Sequence, residues 1–599
     1  MKHAYFLLFF LLFGLLIYFP GFHVDFMIDD RGFMGDNIRN IKHVLSSFVS
    51  GSTDMVYRPL VYVFVRVGYF LFGSDPFGYH VLNLVVLVLA CLCMYGFFSR
   101  VFGNKPLGFL TALFFLVHPI NHYLVDYVTT GYFCLQVIFM LGCIYWGAHK
   151  DFGLKNFILS LGCFVFAVLC HETAMALPFF ILCFLLFAKR QPLPKALARS
   201  MPFFVALVAY FIFRMNIASL GGSIFIRFGK THMDVWQFMA TFIRLVDWQM
   251  SKLFYPDGIV IVWASQIVRQ NLWQWFLLGG AWLGVLCYLM VRGRVIPGLC
   301  LGLSWVVVGF VPLLLACFIE PVAGLTIEPY WLVFASMGFC LFVAALIVEL
   351  ARRIHWPKAA FAACLITGLW GGSVQAYHAL WMNERVYNFY WLEHAGDSRN
   401  PYVYLTEDFM RHRENNLARY YLGQFYEKYH EENTSHYYYA LGLLDLRQHR
   451  WGSSKGNFLK AARLNPYSYD CYTHLGILAY QANDMAQAKK YFLYVMGRDH
   501  FAILPRLNMA MIYNKEGDFT GGIRLLREIL AIDPRYELAR VLLLRVYWDQ
   551  RNIPAVLEQA DVLLKDSQDH VVLNNIGIMY QSAGKTKQAK QAFEKAKKY

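Results

Sequence analysis

The chain has 599 residues, 58% hydrophobic and only 16% charged, a balance that excludes a soluble globular protein or a disordered chain over the whole length. The formal net charge of +15 would suggest nucleic acid in a soluble protein, but here much of the Lys and Arg sits in short connections between apolar runs, so the charge reads as membrane topology and nucleic-acid partners are excluded. The 13 Cys contain no CxxC pair, which excludes a zinc ribbon and gives no disulfide framework.

Residues 1–376 carry the apolar runs, and an apolar stretch of about 20 residues can cross a bilayer as a helix. The first, "AYFLLFFLLFGLLIYFP" at 4–20, lacks a small-residue cleavage site and reads as a retained span. Further spans are expected at 79–98, 107–120, 131–149, 156–171, 174–188, 201–216, 273–290, 295–316, 330–350 and 358–376, about eleven in all. Lys2, Arg100, Lys105, Lys150, Lys155, "AKRQPLPKALAR", "RGR" and "ARRIHWPK" then all fall on one side, which the positive-inside rule makes cytoplasmic. The first outer loop, 21–78, and everything after residue 376 lie on the opposite side. Two outer stretches, 57–73 and 217–272, mix aromatic, basic and apolar residues and are expected to lie at the interface rather than cross it, the alternative for 217–272 being a hidden pair of spans that preserves parity.

Beyond a helical adaptor at 377–434, residues 435–599 repeat with a period near 34. Pro466 and Pro534 lie two periods apart; Leu441, Gly442, Phe458 and Ala461 stand at repeat positions of one unit, Leu475, Gly476, Ala488 and Phe492 at those of the next, and Gly577, Tyr580, Ala589 and Phe593, shifted by one residue, at those of the last. That is the pattern of tetratricopeptide (TPR) repeats, helix–turn–helix units that stack into a concave surface able to hold a peptide. The expected fold class is therefore all-α, a polytopic transmembrane helix bundle followed by a soluble TPR solenoid.

Acidic and polar residues gather near the outer face. Asp29 and Asp30 stand in "FMIDDRGFMGDN", Arg58 in "YRPL", His118 in "VHPINH", then Asp126, His171 and Glu172 in "CHETAMALP", Glu320, and Glu328 in "TIEPYW". Ionisable groups near membrane depth are costly and mark function by default. A half-dry carboxylate can take a proton from an attacking hydroxyl, an adjacent acid can tune or orient it, and an arginine can hold a phosphate with two parallel hydrogen bonds. A base, a phosphate clamp and a membrane together suggest sugar transfer from a lipid phosphate.

The ordered set "FMIDDRGFMGDN", "YRPLVYVFVRVGYFLFGSDPFGYHVLNLVVLV", "VHPINHYLVDYVTTGYFCL", "HETAMALP", "TIEPYWLVFASMGFC" and "HALWMNERVY", followed by TPR repeats, resembles the membrane mannosyltransferases with C-terminal TPR repeats. These are relatives of the protein O-mannosyltransferases, in the multi-spanning GT-C class. The resemblance implies a GT-C-like catalytic domain at 1–376 and an inverting hexosyltransferase that uses a polyprenyl-phosphate sugar, with mannose as a candidate. It implies Asp29 as catalytic base and Asp30 as its acidic neighbour, and it places Glu172 and Glu328 at acidic motif positions. Arg58 is expected at the donor phosphate, by its charge. His118, Asp126 and His171 are further candidates at the outer rim. Tyr123 stands near a position where eukaryotic members carry Glu, His171 where Lys or Arg is expected, and Pro329 where Arg is expected. No metal or other cofactor is assigned, although some GT-C relatives use a divalent ion that the acidic pair could ligate. The expected partners are the lipid-linked sugar, membrane lipid and an acceptor protein recruited by the TPR array. The expected location is a bacterial inner membrane with the repeats in the periplasm, the alternative being the endoplasmic reticulum with the repeats in the lumen. Two rival readings are a surface-polysaccharide ligase or polymerase and a membrane-tethered TPR scaffold without catalysis.

Overall fold

The computed structural model describes residues 2–27, 30, 58–149, 153–217, 234–310, 312, 325–429 and 435–598, except 266, 294, 295, 355, 397, 500, 501 and 535. Asp29 and Glu320 lie outside the described residues. The chain divides into two compact units, one running to Leu405 and one from Thr406 onward, so the expected adaptor is shared between them.

The first unit is a helix bundle. It comprises α1 (Lys2–Tyr18), α2 (Pro59–Phe72), α3 (Pro76–Phe102), α4 (Lys105–Val117), α5 (Tyr132–Gly147), α6 (Leu154–Cys170), α7 (Leu177–Cys183), α8 (Leu193–Ile217), α9 (Val235–Phe254), α10 (Leu272–Gly293), α11 (Pro297–Gly309), α12 (Val333–Arg353), α13 (Trp356–Trp381) and α14 (Glu384–His394). Six stretches are long and apolar enough to cross a membrane, and Lys105–Val117 with Pro119–Asp126 forms a pair bent by 61°. Pro119 causes that break, since it cannot donate to the helix ladder and fixes its own φ. Five further apolar helices are shorter, so an expected count near eleven rests on short helices packed within protein rather than on length alone.

Among the described residues the all-α expectation holds apart from one small sheet. Trp263–Ser265 (β1) pairs antiparallel with Leu325–Ile327 (β2), Trp263 opposite Ile327. Near it, the Ile261 amide donates to the Tyr387 hydroxyl at 2.8 Å and Trp391 Nε1 donates to Val262 O at 2.8 Å. These bonds bring α14 against the 259–265 segment of the same unit. The stretch 217–272 contains a helix, α9, opened by a capping box in which Asp234 and Gln237 satisfy each other's amides.

The second unit stacks antiparallel helix pairs: α15 (Asn400–Arg411) begins at the junction, then α16 (Asn415–Tyr429), α17 (Ser435–Arg447), α18 (Trp451–Leu464), α19 (Tyr469–Gln481), α20 (Met485–Met496), α21 (Ile503–Lys515), α22 (Phe519–Ile532), α23 (Glu537–Asp549), α24 (Ile553–Asp566), α25 (His570–Ser582) and α26 (Thr586–Ala596). The glycines of the pattern mark where paired helices touch. A Cβ at Gly442, Gly476 or Gly577 would lie 2.6, 2.5 or 2.6 Å from the ring of Phe458, Phe492 or Phe593. Each intra-repeat turn uses one left-handed residue, and these recur as His449, Asn483, Gly517, Arg551 and Gly584. Arg413 occupies the same conformation between α15 and α16, so that pair is a further hairpin of the same kind within the expected adaptor.

Candidate functional site

The candidate site begins where α1 ends. A 3-10 turn, Phe19–His23, leads into residues 24–27, and the next described residue is Asp30. Asp30 is fully buried. Its carboxylate accepts from the Val128 amide at 3.2 Å and the Thr129 amide at 2.9 Å. Those amides open a 3-10 turn, Val128–Thr130, that has no capping side chain of its own. Asp30 is therefore a cap supplied from 98 residues away in sequence, and it ties the acidic loop to the 122–130 segment. Burial pushes the Asp30 carboxyl up to about 7, against the opposing pull of the Thr129 and Val128 donors.

Three polar side chains within apolar helices strengthen the same junction, and the sequence reading missed all three. His80 on α3 bridges Val24 O at 2.9 Å and Val125 O at 2.8 Å. Asn83, one turn further, donates to Val128 O at 3.2 Å and Tyr127 O at 3.4 Å. His378 on α13 reaches Asp126 Oδ2 at 2.9 Å and Ile17 O at 3.0 Å. The available signal was a polar residue inside each apolar run, the pattern that membrane burial makes costly. Asp126 also accepts from His122 Nδ1 at 2.9 Å, so one buried carboxylate holds two imidazoles. Gly21 makes this possible, because a Cβ there would sit 2.5 Å from Asp126 Oδ1 and 2.8 Å from His378 Nδ1.

His118 is a buried helix end. Its Nδ1 accepts from the Ile120 amide at 3.2 Å, so Nε2 carries the proton and donates to Leu253 O at 3.0 Å. This caps the Pro119 turn and pins the end of α9.

The second grouping lies around Arg58, the residue before α2. Arg58 Nε donates to Glu172 Oε2 at 2.8 Å and Nη2 donates to Glu172 Oε1 at 2.6 Å, the two-pronged geometry of a guanidinium on a carboxylate. Both side chains keep some exposure, 21% and 16%. Burial alone would raise the Glu172 carboxyl, but the Arg58 charge outweighs it and holds that carboxyl well below its ordinary range. His171 Nε2 stands 4.0 Å from Glu172 Oε2, while its Nδ1 accepts from the Thr173 amide at 3.2 Å. Glu328 accepts from the Tyr330 hydroxyl, and both Glu328 and Tyr132 act electrostatically on Arg58.

Apart from His118, the described predicted residues thus fall into two clusters. Asp30 and Asp126 secure the root of the first loop, while Arg58, His171, Glu172 and Glu328 gather at one partly open spot. The 127–133 segment joins them, with Tyr127 near Tyr330 and Phe133 packed on His171 at a ring separation of 4.8 Å. Among the described residues no group of three or more His, Cys, Asp or Glu is arranged to hold a metal ion.

Comparison with known proteins bears on the same segment. The family model described as dolichyl-phosphate-mannose-protein mannosyltransferase matches within the first unit. Residues 57–218 carry that match. They include Arg58, His118, Asp126, His171 and Glu172. Protein O-mannosyl-transferase TMTC1 of Mus musculus is 42% identical over 66 residues, which is 11% of this chain and 7% of that relative. The Homo sapiens counterpart gives the same identity over the same length, 8% of that relative. The matched stretch is therefore a small part of either relative. Taken with the TPR pattern, the chain resembles the TPR-containing membrane O-mannosyltransferases, and the names support a membrane glycosyltransferase as the coarse class. Among solved structures, Pseudomonas aeruginosa PilF is similar at 12% identity and TM-score 0.29, over 32% of this chain and 88% of that one. The Cut9–Hcn1 tetramer of the APC/C is similar at 11% identity and TM-score 0.31, over 93% and 95%. At those values the repeat fold rests on the helices of this chain themselves.

Proposed function

We propose that this protein transfers a sugar, with mannose the first candidate, from a polyprenyl-phosphate carrier to a hydroxyl of an extracytoplasmic protein, with inversion at the sugar carbon. In this reading Asp29 removes the proton from the acceptor hydroxyl and Asp30 positions it. The hydroxyl oxygen forms the new bond to the sugar carbon, and the lipid phosphate leaves with the electrons of the bond it breaks. Arg58, braced by Glu172, faces the departing phosphate, with Glu328 beside it. The TPR array gathers the acceptor. The observation that supports the reading is the docking of Asp30 onto the Val128 and Thr129 amides, which fixes that acid against the segment that matches the mannosyltransferase family.

The test is transfer of labelled mannose from polyprenyl-phosphate mannose, with the glucose analogue in parallel, to exported proteins by the purified chain. Asp29→Asn should abolish label incorporation while leaving membrane insertion and thermal unfolding unchanged. Full activity in that variant would remove Asp29 from the mechanism.

A further inference from the structure

An apolar groove of about 1030 Å³ opens on the side of the first unit, between α1, α4, α12 and α13. One wall is aromatic, with Phe6, Phe9 and Phe109. The facing wall is a run of small residues on α13, including Cys364, Gly368 and Gly372. At both glycines a Cβ would meet nothing within 4 Å, so that wall is unfilled. The polar groups along the groove are already satisfied internally. Thr367 Oγ1 donates to Ala363 O at 2.8 Å, and Gln375 donates to Ile17 O.

The two ends of the groove differ in charge. The Tyr18 hydroxyl donates to Leu116 O, and Gln375 reaches Ile17 O, so α1, α4 and α13 run in the same direction. Their N-termini therefore share one end, and each N-terminus carries roughly half a positive charge. Lys105, exposed at the start of α4, lines the groove there, beside Trp356. Arg352 and Arg353, in the last turn of α12, pair with Glu349 and do not line the groove. The Lys105 end is the basic face of the bundle, the face that the positive-inside rule sets at the cytoplasm.

We propose that this groove binds one anionic diacyl phospholipid of the cytoplasmic leaflet, its phosphate at Lys105 and the α4 and α13 N-termini and its chains along the glycine wall. Basic pockets between membrane helices on that side recognise acidic headgroups. An apolar, internally satisfied wall suits an acyl chain. The site is separate from the outer-face cluster and stands whatever sugar the protein moves.

The test is native mass spectrometry of the full chain, delipidated in detergent and titrated with phosphatidylglycerol, phosphatidylcholine or polyprenyl phosphate. One phosphatidylglycerol should bind with preference over the other two. Lys105→Glu should weaken it about fivefold, the scale of one basic residue at an anionic surface. Gly368→Leu with Gly372→Leu should remove it. In parallel, bound lipid should slow maleimide labelling of Cys364 and leave Cys93, exposed away from the groove, unchanged. That readout uses the native sequence, so it stands even if the filled variant fails to fold. Equal binding of phosphatidylcholine, preference for polyprenyl phosphate, or unchanged Cys364 labelling would overturn the proposal.

Discussion

Asp30 places a carboxyl where water does not reach, and its recompense is a few hydrogen bonds, among them those from the Val128 and Thr129 amides. Burial favours the neutral acid, so the carboxyl titrates near 7 rather than near 3.8. The neutral form's advantage is complete below pH 3.8 and is lost as pH rises through about 7. Each pH unit in that interval contributes about 1.4 kcal/mol, so up to about 4 kcal/mol of stability falls away. Thermal unfolding of the detergent-solubilised chain across pH 4–8 should show that slope in the wild type and lose it in Asp30→Asn, which keeps an oxygen for the Thr129 amide. A slope that persists in Asp30→Asn would assign it to another group. The Arg58–Glu172 pair invites a different experiment at the same scale. Removing one partner strands a largely buried charge, so Arg58→Ala or Glu172→Ala should cost about 2–3 kcal/mol. Replacing both at once, Arg58→Met with Glu172→Leu, should recover most of that loss. Sugar transfer should stay absent in the double variant if Arg58 serves the donor phosphate, whereas activity that recovers with stability would make the pair a brace alone.

At the scale of elements, the repeat turns show what the sequence can and cannot announce. The 34-residue period was legible because packing forces it: Gly442, Gly476 and Gly577 lie against the rings of Phe458, Phe492 and Phe593, so both members of each pair persist in the pattern. The hairpin of α15 and α16 has no such pair, and its left-handed turn residue is Arg413, so nothing in its composition announced a repeat. Left-handed backbone costs a side chain with a Cβ about 1–2 kcal/mol relative to glycine. Arg551→Gly should accordingly stabilise the α23–α24 hairpin by about 1 kcal/mol, and Asn483→Gly by less, because asparagine tolerates that conformation. Slower hydrogen exchange of the α24 amides in Arg551→Gly would show it, and faster exchange would mean the arginine makes a contact worth more than the backbone cost. The candidate site was legible in part. Acid, arginine and histidine motifs pointed to the outer face, but which of them meet did not follow from spacing. Asp30 finds amides 98 residues away, and Asp126 finds an imidazole 252 residues away. The sheet of β1 and β2 was beyond reach, since three-residue strands hold no full period of alternation.

For the molecule as a whole, the side on which the repeats emerge turns on a single short helix. Among the described residues, counting the six long stretches, the bent pair and the shorter apolar helices other than Pro59–Phe72 gives an odd number of crossings. Counting Pro59–Phe72 as well gives an even number and puts the repeats on the same side as the N-terminus. Length argues against counting it. Its 14 residues rise about 21 Å, short of the roughly 30 Å hydrocarbon core. Charge argues the same way, because a crossing there would move Lys105, Lys155, Arg352 and Arg353 away from the face that retains basic residues. In sealed vesicles with the extracytoplasmic face outward, added protease should therefore digest the TPR unit while leaving the bundle, and in inverted vesicles the unit should be protected. The reverse pattern would make Pro59–Phe72 a true span and put Glu172 on the face opposite Arg58, against the pair the two form, so the glycosyl-transfer reading would lose its phosphate clamp.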